Sequence, residues 1–261
     1  MKPFFRQLSA LLVGVVAVCF TSCNNRQEKQ VDTPAIDSIK VWVGDTIRCY
    51  SECTYVMLTS GWEDEVMAKI NRHNYEQLFQ EHALPDTVDV YAALEADRLD
   101  NFDYILDWKP EDIIGAPLWS KYTQTATIVQ ERVLCINTFC AYYHGGSHEI
   151  IGMRNCNYDL TTGEYIDLAY LEEGEWLPML QRLLYKRLPE DDCFGYIMDH
   201  SPEDISFDTK LVEIIEDGIR ITFKPYAVAC FAAGFISVEL SNRELDIFEI
   251  PTPWVKEDDV Q

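Results

Sequence analysis

The sequence predicts an α+β fold: a largely antiparallel β-sheet with a few packed helices, placed after a cleaved signal peptide and a flexible tether. Residues 122–143 are rich in Thr, Val, Ile, Phe and Tyr and are interrupted by Gln130-Glu131-Arg132, a hairpin pattern. Helical periodicity appears in isolated stretches between runs of strands, without the regular strand–helix–strand alternation that builds a parallel sheet. Hydrophobic residues make up 48% and aromatic residues 12% of the 261-residue chain, enough to pack a core rather than stay disordered. No internal repeat is evident.

Residues 1–22 read as a leader. Lys2 and Arg6 give a positive start, Leu8 to Phe20 is nearly all apolar, and Thr21-Ser22 supplies small residues before Cys23. The apolar run is shorter than the ~20 residues a transmembrane helix needs. The run Phe20-Thr21-Ser22-Cys23 resembles the lipobox of bacterial lipoproteins. That resemblance implies cleavage before Cys23, transfer of diacylglycerol to its thiol, and anchoring to the membrane through N-terminal acyl chains, each buried CH₂ contributing ~0.8 kcal/mol. Asn24, rather than Asp, follows the cysteine, so the outer membrane is the expected address, with either leaflet face open. Asn24 to Asp37 is polar with almost no apolar content, so residues 23–38 read as a flexible, lipidated tether.

The elements follow in order. Ile39 to Val43 and Thr46 to Leu58 read as strands about a Gly44-Asp45 turn. Trp62 to Phe79 reads as a helix with Val66, Ile70 and Leu78 on one face and acids at its start, where the helix dipole favours them. A second helix runs from about Val88 towards Leu106. The 122–143 hairpin comes next, then a glycine-containing loop at His144 to His148 and a strand from Ile150 to Leu160. Thr161-Thr162-Gly163 turns the chain into a further expected strand, Glu164 to Leu168. Leu177, Leu180, Leu184 and Leu188 recur at helical spacing, with Pro178 tolerated in the first turn. Ile219 to Phe223 and Phe235 to Leu240 close the series, the first after a Glu216-Asp217-Gly218 turn. Residues 39–140 are expected to form an N-terminal α+β part, 141–250 a C-terminal domain, and 251–261 an acidic tail.

The chain has 21 basic and 44 acidic residues, a formal charge of −23. Loss of Lys2 and Arg6 with the leader would make it more acidic still. This argues against nucleic acid or anionic lipid surfaces as partners and is compatible with a basic protein or a cell-wall fragment. Of nine cysteines, Cys19 would leave with the leader and Cys23 would be lipidated. The remainder (Cys49, Cys53, Cys135, Cys140, Cys156, Cys193 and Cys230) is odd in number, so at least one thiol is unpaired. Cys49 and Cys53 lie on one strand, ~13 Å apart, and cannot bridge each other. Small buried thiols are the expectation, with one or two disulfides open in an oxidising compartment.

From residue 142 the order of motifs becomes specific. Tyr142-Tyr143-His144-Gly145-Gly146-Ser147-His148 ends a strand. Asn157-Tyr158-Asp159-Leu160-Thr161-Thr162-Gly163-Glu164 follows, then a Leu-rich helix. Gly218-Ile219-Arg220-Ile221-Thr222-Phe223-Lys224-Pro225-Tyr226 comes next, with Ala232-Ala233-Gly234 behind it. This order resembles the extracellular domain of RsiV-type anti-sigma factors, a domain of unknown function also found ahead of PdaC-type peptidoglycan deacetylases. The match covers about residues 120 to 245 well and 39 to 119 by order of elements. Ser147 stands where the family usually has Ala, and Cys230 interrupts the tail motif. The sequence shows neither the sigma-binding segment nor the deacetylase domain of those relatives. The resemblance therefore implies the fold and ligand recognition, with lysozyme as the ligand class of the RsiV-type domains.

Candidate chemistry is sparse. His144, His148 and Glu149 flank the Gly145-Gly146-Ser147 turn, but the ligand set is incomplete for a tetrahedral metal site and lacks the second His of H-E-x-x-H. No metal or other cofactor is expected. Ser147 lacks the second glycine of a nucleophile elbow, and no phosphate-binding glycine loop appears. Tyr226 reads as a packed turn tyrosine, and Trp62, Trp108, Trp119 and Trp176 as scattered packing residues. The candidate binding or turn residues are His144, Gly145, Gly146, His148, Tyr226 and Gly234. The expected function is a lipid-anchored, non-catalytic ligand-binding module of the cell envelope. The alternatives are a hydrolase acting on envelope polysaccharide or peptidoglycan, and a structural envelope protein.

Overall fold

The computed structural model describes residues 34–112, 115–188, 201–229 and 231–255. The expected signal peptide, Cys23, most of the tether, Cys193 and Cys230 lie outside the described residues. The fold is α+β, as the sequence predicts. Strands β1 (Ala35–Gly44), β2 (Cys49–Ser60), β3 (Leu118–Val129), β4 (Val133–Tyr143) and β5 (Ile150–Asp159) form a five-stranded sheet in that order. A three-stranded sheet follows, in the order β6 (Val212–Ile215), β7 (Gly218–Phe223) and β8 (Ile236–Ser241). Every strand pairing is antiparallel except β2 with β3. That exception has a topological cause. Helices α1 (Asp64–Phe79) and α2 (Val90–Leu106) lie between β2 and β3 in the chain, and a parallel pair needs such a long crossover.

The two helices lie on one face of the large sheet. Ile70, Tyr75 and Phe79 of α1 and Val90, Ala93 and Leu94 of α2 are buried against strand residues such as Tyr55, Tyr122 and Ile136. The other core gathers α3 (Leu177–Arg187) and the small sheet, with Leu180, Leu184, Ile219, Ile221, Phe223 and Leu240 fully or nearly buried. The small sheet is fastened to β5 by a side-chain amide: Asn157 donates to the Val212 carbonyl and accepts from the Ile214 N–H, both at 3.0 Å. Gly218 starts β7 at φ 140, and a Cβ there would lie 1.9 Å from the Leu240 carbonyl oxygen, so only glycine lets β7 approach β8 this closely.

The hairpin at residues 130–132 forms as expected, with Gln130 and Glu131 at φ 50 and 56. Other boundaries move. β1 begins at Ala35, inside the expected tether, and the division expected after residue 140 falls within β4. The described residues make one compact unit. The expected strand at Glu164 to Leu168 shortens to a single bridge between Tyr158 and Tyr165. Ile166 still donates to Asn157, but Leu168 and Leu171 are buried in the α3 core, which draws the chain off the sheet edge into a short 3-10 turn at Ala169–Glu172. Helix α4 (Asn242–Ile247) is an addition to the expected set; Ser241 and Glu244 form a reciprocal capping box at its start. The segment placed in the acidic tail contributes Trp254 to the core, 2% exposed, with its indole N–H donating to Asn242.

Among the described residues, Cys49, Cys53, Cys135, Cys140 and Cys156 are all free thiols, and all but Cys140 are buried. Burial raises each of their pKa values, that of Cys53 to about 12, so they are packing residues with little thiolate character.

Candidate functional site

Side chains alternate across a strand, so one face of the large sheet carries Tyr122 and Gln124 from β3, Thr138, Cys140 and Tyr142 from β4, and Gly152, Arg154 and Cys156 from β5. Register sets them in rows: Gln124 beside Thr138 beside Arg154, then Tyr122 beside Cys140 beside Gly152. Asn74, Gln77 and Leu78 of α1 and Gln80 just past its end form the opposite wall. Between them lies a cleft of about 350 Å³, which Lys224 also lines. Gly152 leaves the space open, since a Cβ there would meet the Cys140 sulfur at 2.7 Å.

The floor of this cleft is a paired amide network. Gln124 Nε2 donates to Asn74 Oδ1 at 2.9 Å and to Thr138 Oγ1 at 3.1 Å. Asn74 Nδ2 donates to Gln124 Oε1 and to the Val56 carbonyl, and the Val56 N–H donates to Gln124 Oε1. The reason is visible in the strand pairing. β2 stays paired with β3 as far as Thr54, and beyond that point the two strands separate. Side-chain amides then take over the backbone groups that β3 no longer reaches: Gln124 and Asn74 serve Val56, and Asn71 serves the N–H and carbonyl of Leu58.

A second cleft of about 250 Å³ adjoins the first, sharing Leu78, Gln80, Tyr122 and Tyr142, and is lined further by Glu81, His82, Asp97, Asp100 and Asn101. Here the Tyr142 hydroxyl donates to the Tyr122 hydroxyl (3.2 Å), which donates to Asp97 Oδ2 (2.8 Å). Burial raises the Asp97 pKa above its ordinary value, against the opposing pull of the Tyr122 hydrogen bond and of His82. Burial likewise raises the pKa values of both tyrosines, which stay protonated.

The two ends of this double cleft differ in charge. Arg154 donates through Nη1 to the carbonyl and to Oε1 of Gln77, but no carboxylate pairs with it among the described residues. Every other buried or half-buried arginine among them has one: Arg48, Arg72, Arg98, Arg132, Arg187 and Arg220. At the opposite end Asp97 has no lysine or arginine partner among the described residues, while His82 lies 3.8 Å from Asp100. Glu81, His82 and Asp100 bring their ligand-type atoms within 4.8 Å of one another, and Glu81 and Asp100 are exposed.

The residues singled out from the sequence lie elsewhere. His144, Gly145, Gly146 and His148 sit on an exposed loop, with Gly145 at φ 79 as the turn requires. The His144 ring lies against Phe102 and Tyr142, at 5.3 and 6.3 Å between centroids. His148 bonds the Glu149 carbonyl through Nδ1 at 2.8 Å and packs on Phe231, at 4.6 Å. Tyr226 packs on the same Phe231 ring, at 5.7 Å, so the loop and the tail motif meet. Tyr226 is nevertheless 70% exposed and holds φ 71, which corrects its reading as a packed tyrosine. Gly234 follows at φ 69 with open space beside it. Trp119 is likewise more than a scattered packing residue. On the sheet face turned away from the helices it stacks with Tyr143, and Lys121 lies over both Trp119 and Tyr50, which itself stacks with Trp42.

Sequence reasoning missed Asn74, Asp97, Gln124 and Arg154. For Gln124 and Arg154 the available signal was a polar residue at the inward parity of a strand whose other inward positions are largely apolar or aromatic.

No family profile matches the sequence, and no curated protein does. Solved structures do. A member of the DUF3298 family from Bacteroides fragilis superposes with a TM-score of 0.65 at 17% identity, covering 84% of this chain and 94% of that one. A DUF3298 family protein from Pseudomonas aeruginosa superposes with a TM-score of 0.51 at 10% identity, covering 83% and 94%. At such identities the likeness is one of fold, and the chain shares its architecture with proteins of a domain family of unknown function.

Proposed function

We propose that this chain is a lipid-anchored, non-catalytic ligand-binding module of the cell envelope. The observation that carries this reading is the double cleft between α1, α2 and strands β3 to β5. Its floor is hydrogen-bonded into a fixed shape, and its ends carry an arginine with no carboxylate partner and an aspartate with no lysine or arginine partner among the described residues. Preorganised polar groups in a concave site are what small-ligand recognition uses. The sequence around Cys23 supports the envelope address, and the RsiV-like order of motifs supports recognition of lysozyme or of a cell-wall fragment. Among the described residues no helix is long and apolar enough to cross a membrane. An acyl anchor threads no protein through the bilayer, so a signal from this domain would pass through a partner. Titration of the purified chain with lysozyme and with muropeptides tests the reading. Binding of at least one is expected, and binding of neither would remove it. Replacing Cys23 (Cys23→Ser) is expected to move the chain from the membrane to the soluble fraction.

One observation favours the hydrolase alternative. The acidic end of the cleft holds several carboxyl groups, and Asp97, with its raised pKa, has the character of a proton donor. Release of reducing ends from peptidoglycan by the native chain, lost in Asp97→Asn, would favour it over the binding module.

A further inference from the structure

Arg154 is held on one side only. Its Nη1 donates to the backbone carbonyl and to Oε1 of Gln77, and Gln77 Nε2 in turn lies 3.3 Å from His73 Nε2. The opposite edge of the guanidinium, Nε and Nη2, has no partner among the described residues. The N–H groups of that edge run parallel and form a fork that matches the two oxygens of a carboxylate. Elsewhere in this protein the same edge is used that way. Arg98 meets both carboxylate oxygens of Glu95 through Nε and Nη2. The same two nitrogens of Arg132 and Arg220 meet Asp159 and Glu239. Arg154 differs from these in its place, on the wall of the 350 Å³ cleft.

Building on the binding-module reading, we infer that the cleft takes its ligand by a carboxylate, seated on the Nε–Nη2 edge of Arg154. Thr138 is the cross-strand partner of Arg154 and supplies a second donor beside it. Its Oγ1 accepts from Gln124 Nε2, which leaves the hydroxyl proton for the same anion. Leu78 from α1 and Cys140 from β4 give apolar surface for the body of the ligand. Phosphate also fits an arginine fork, but a dianion needs more positive charge than this cleft supplies. Lys224, the other cation lining it, is paired with Asp208 at 2.7 Å. Glu81 and Asp100 line the adjoining cleft and repel anions from that side. A monoanion at the Arg154 end is what this distribution of charge accepts.

Calorimetric titration of the full chain with muropeptides, and with the same muropeptides after amidation of their carboxyl groups, tests this. The free acids are expected to bind. The amides should bind about tenfold or more weakly, because amidation removes the charge and turns one accepting oxygen into a donor. Arg154→Gln should weaken the free acids by a similar factor and leave the amides unchanged. The acid–amide comparison on the unsubstituted chain stands by itself if that variant folds poorly. Inorganic phosphate in equal amount should not displace the muropeptides, and displacement would overturn the assignment to a carboxylate. Equal binding of acids and amides would overturn the inference, as would muropeptide binding that Arg154→Gln leaves intact. These results, or binding of lysozyme alone, would leave the binding-module reading in place. Absence of binding by muropeptides and lysozyme alike would end both.

Discussion

Asp97 shows how one residue can be placed against its own preference. Its carboxyl is half-buried, and the hydrogen bond from Tyr122 compensates only part of the lost hydration, so its pKa rises. An acid whose pKa is higher in the folded than in the unfolded chain binds more protons when folded. Its contribution to stability is greatest at low pH and is lost as pH rises from the ordinary value of 3.8 through the raised folded value. Asn keeps the acceptor for Tyr122 and removes the charge. Asp97→Asn is therefore expected to be more stable than the native chain at pH 7, with the gain shrinking as pH falls through the raised folded value towards 3.8. Urea unfolding across that range checks it, and a gain that grows towards low pH would contradict it. Asp159 behaves oppositely: burial raises its pKa, but the Thr161 backbone and side chain and Arg132 outweigh burial and hold it low, so its stabilisation is lost on acidification.

The cleft owes its shape to an exchange between elements. Where β2 parts from β3, α1 supplies amide side chains in place of the strand ladder, and these amides become the floor of the cleft between helix and sheet. Asn74 is 1% exposed and Gln124 is 3% exposed, so each would be an expensive unsatisfied group without the other. Replacing either with Ala should destabilise by about 1–3 kcal/mol. The double replacement should lose less than the sum, with a coupling energy of about 0.5–3 kcal/mol in equilibrium unfolding. Strict additivity would mean that the two amides act independently. At this scale the sequence was legible wherever periodicity sufficed: α1, α2, α3 and the 130–132 hairpin lie where their patterns place them. It was illegible where long-range packing prevailed. Glu164 to Leu168 has strand-like composition, yet Leu168 and Leu171 bind the chain to the α3 core. The start of α4 was marked by Ser241 and Glu244, a readable capping pattern that the stronger strand before it overshadowed.

As a whole, the described chain has a core on each side of the large sheet, one beneath α1 and α2, the other joining α3 to the small sheet. β4 and β5 take part in both, because alternate residues point to opposite faces: Ile136 and Tyr158 toward the helices, Val133 and Asn157 toward the small sheet. The chain after α4 returns to the second core through Trp254. Trp254→Ala should lower stability by about 3–5 kcal/mol, the range for a large buried aromatic. A melting temperature equal to that of the native chain would show that this return contributes nothing.

By itself the sequence determined the α+β class and most strand and helix positions. These depend on local pattern: side-chain period and turn chemistry. Only the tertiary structure revealed the cleft. Asn74, Asp97, Gln124 and Arg154 come from α1, α2, β3 and β5, and in the sequence each resembles an ordinary surface polar residue. Strand register and helix placement turn them inward toward one space, and burial then makes their pairing, or its absence, energetically meaningful. The glycine loop at His144 to His148 drew notice because its motif is contiguous, whereas the cleft is lined by residues whose proximity exists only in the folded chain.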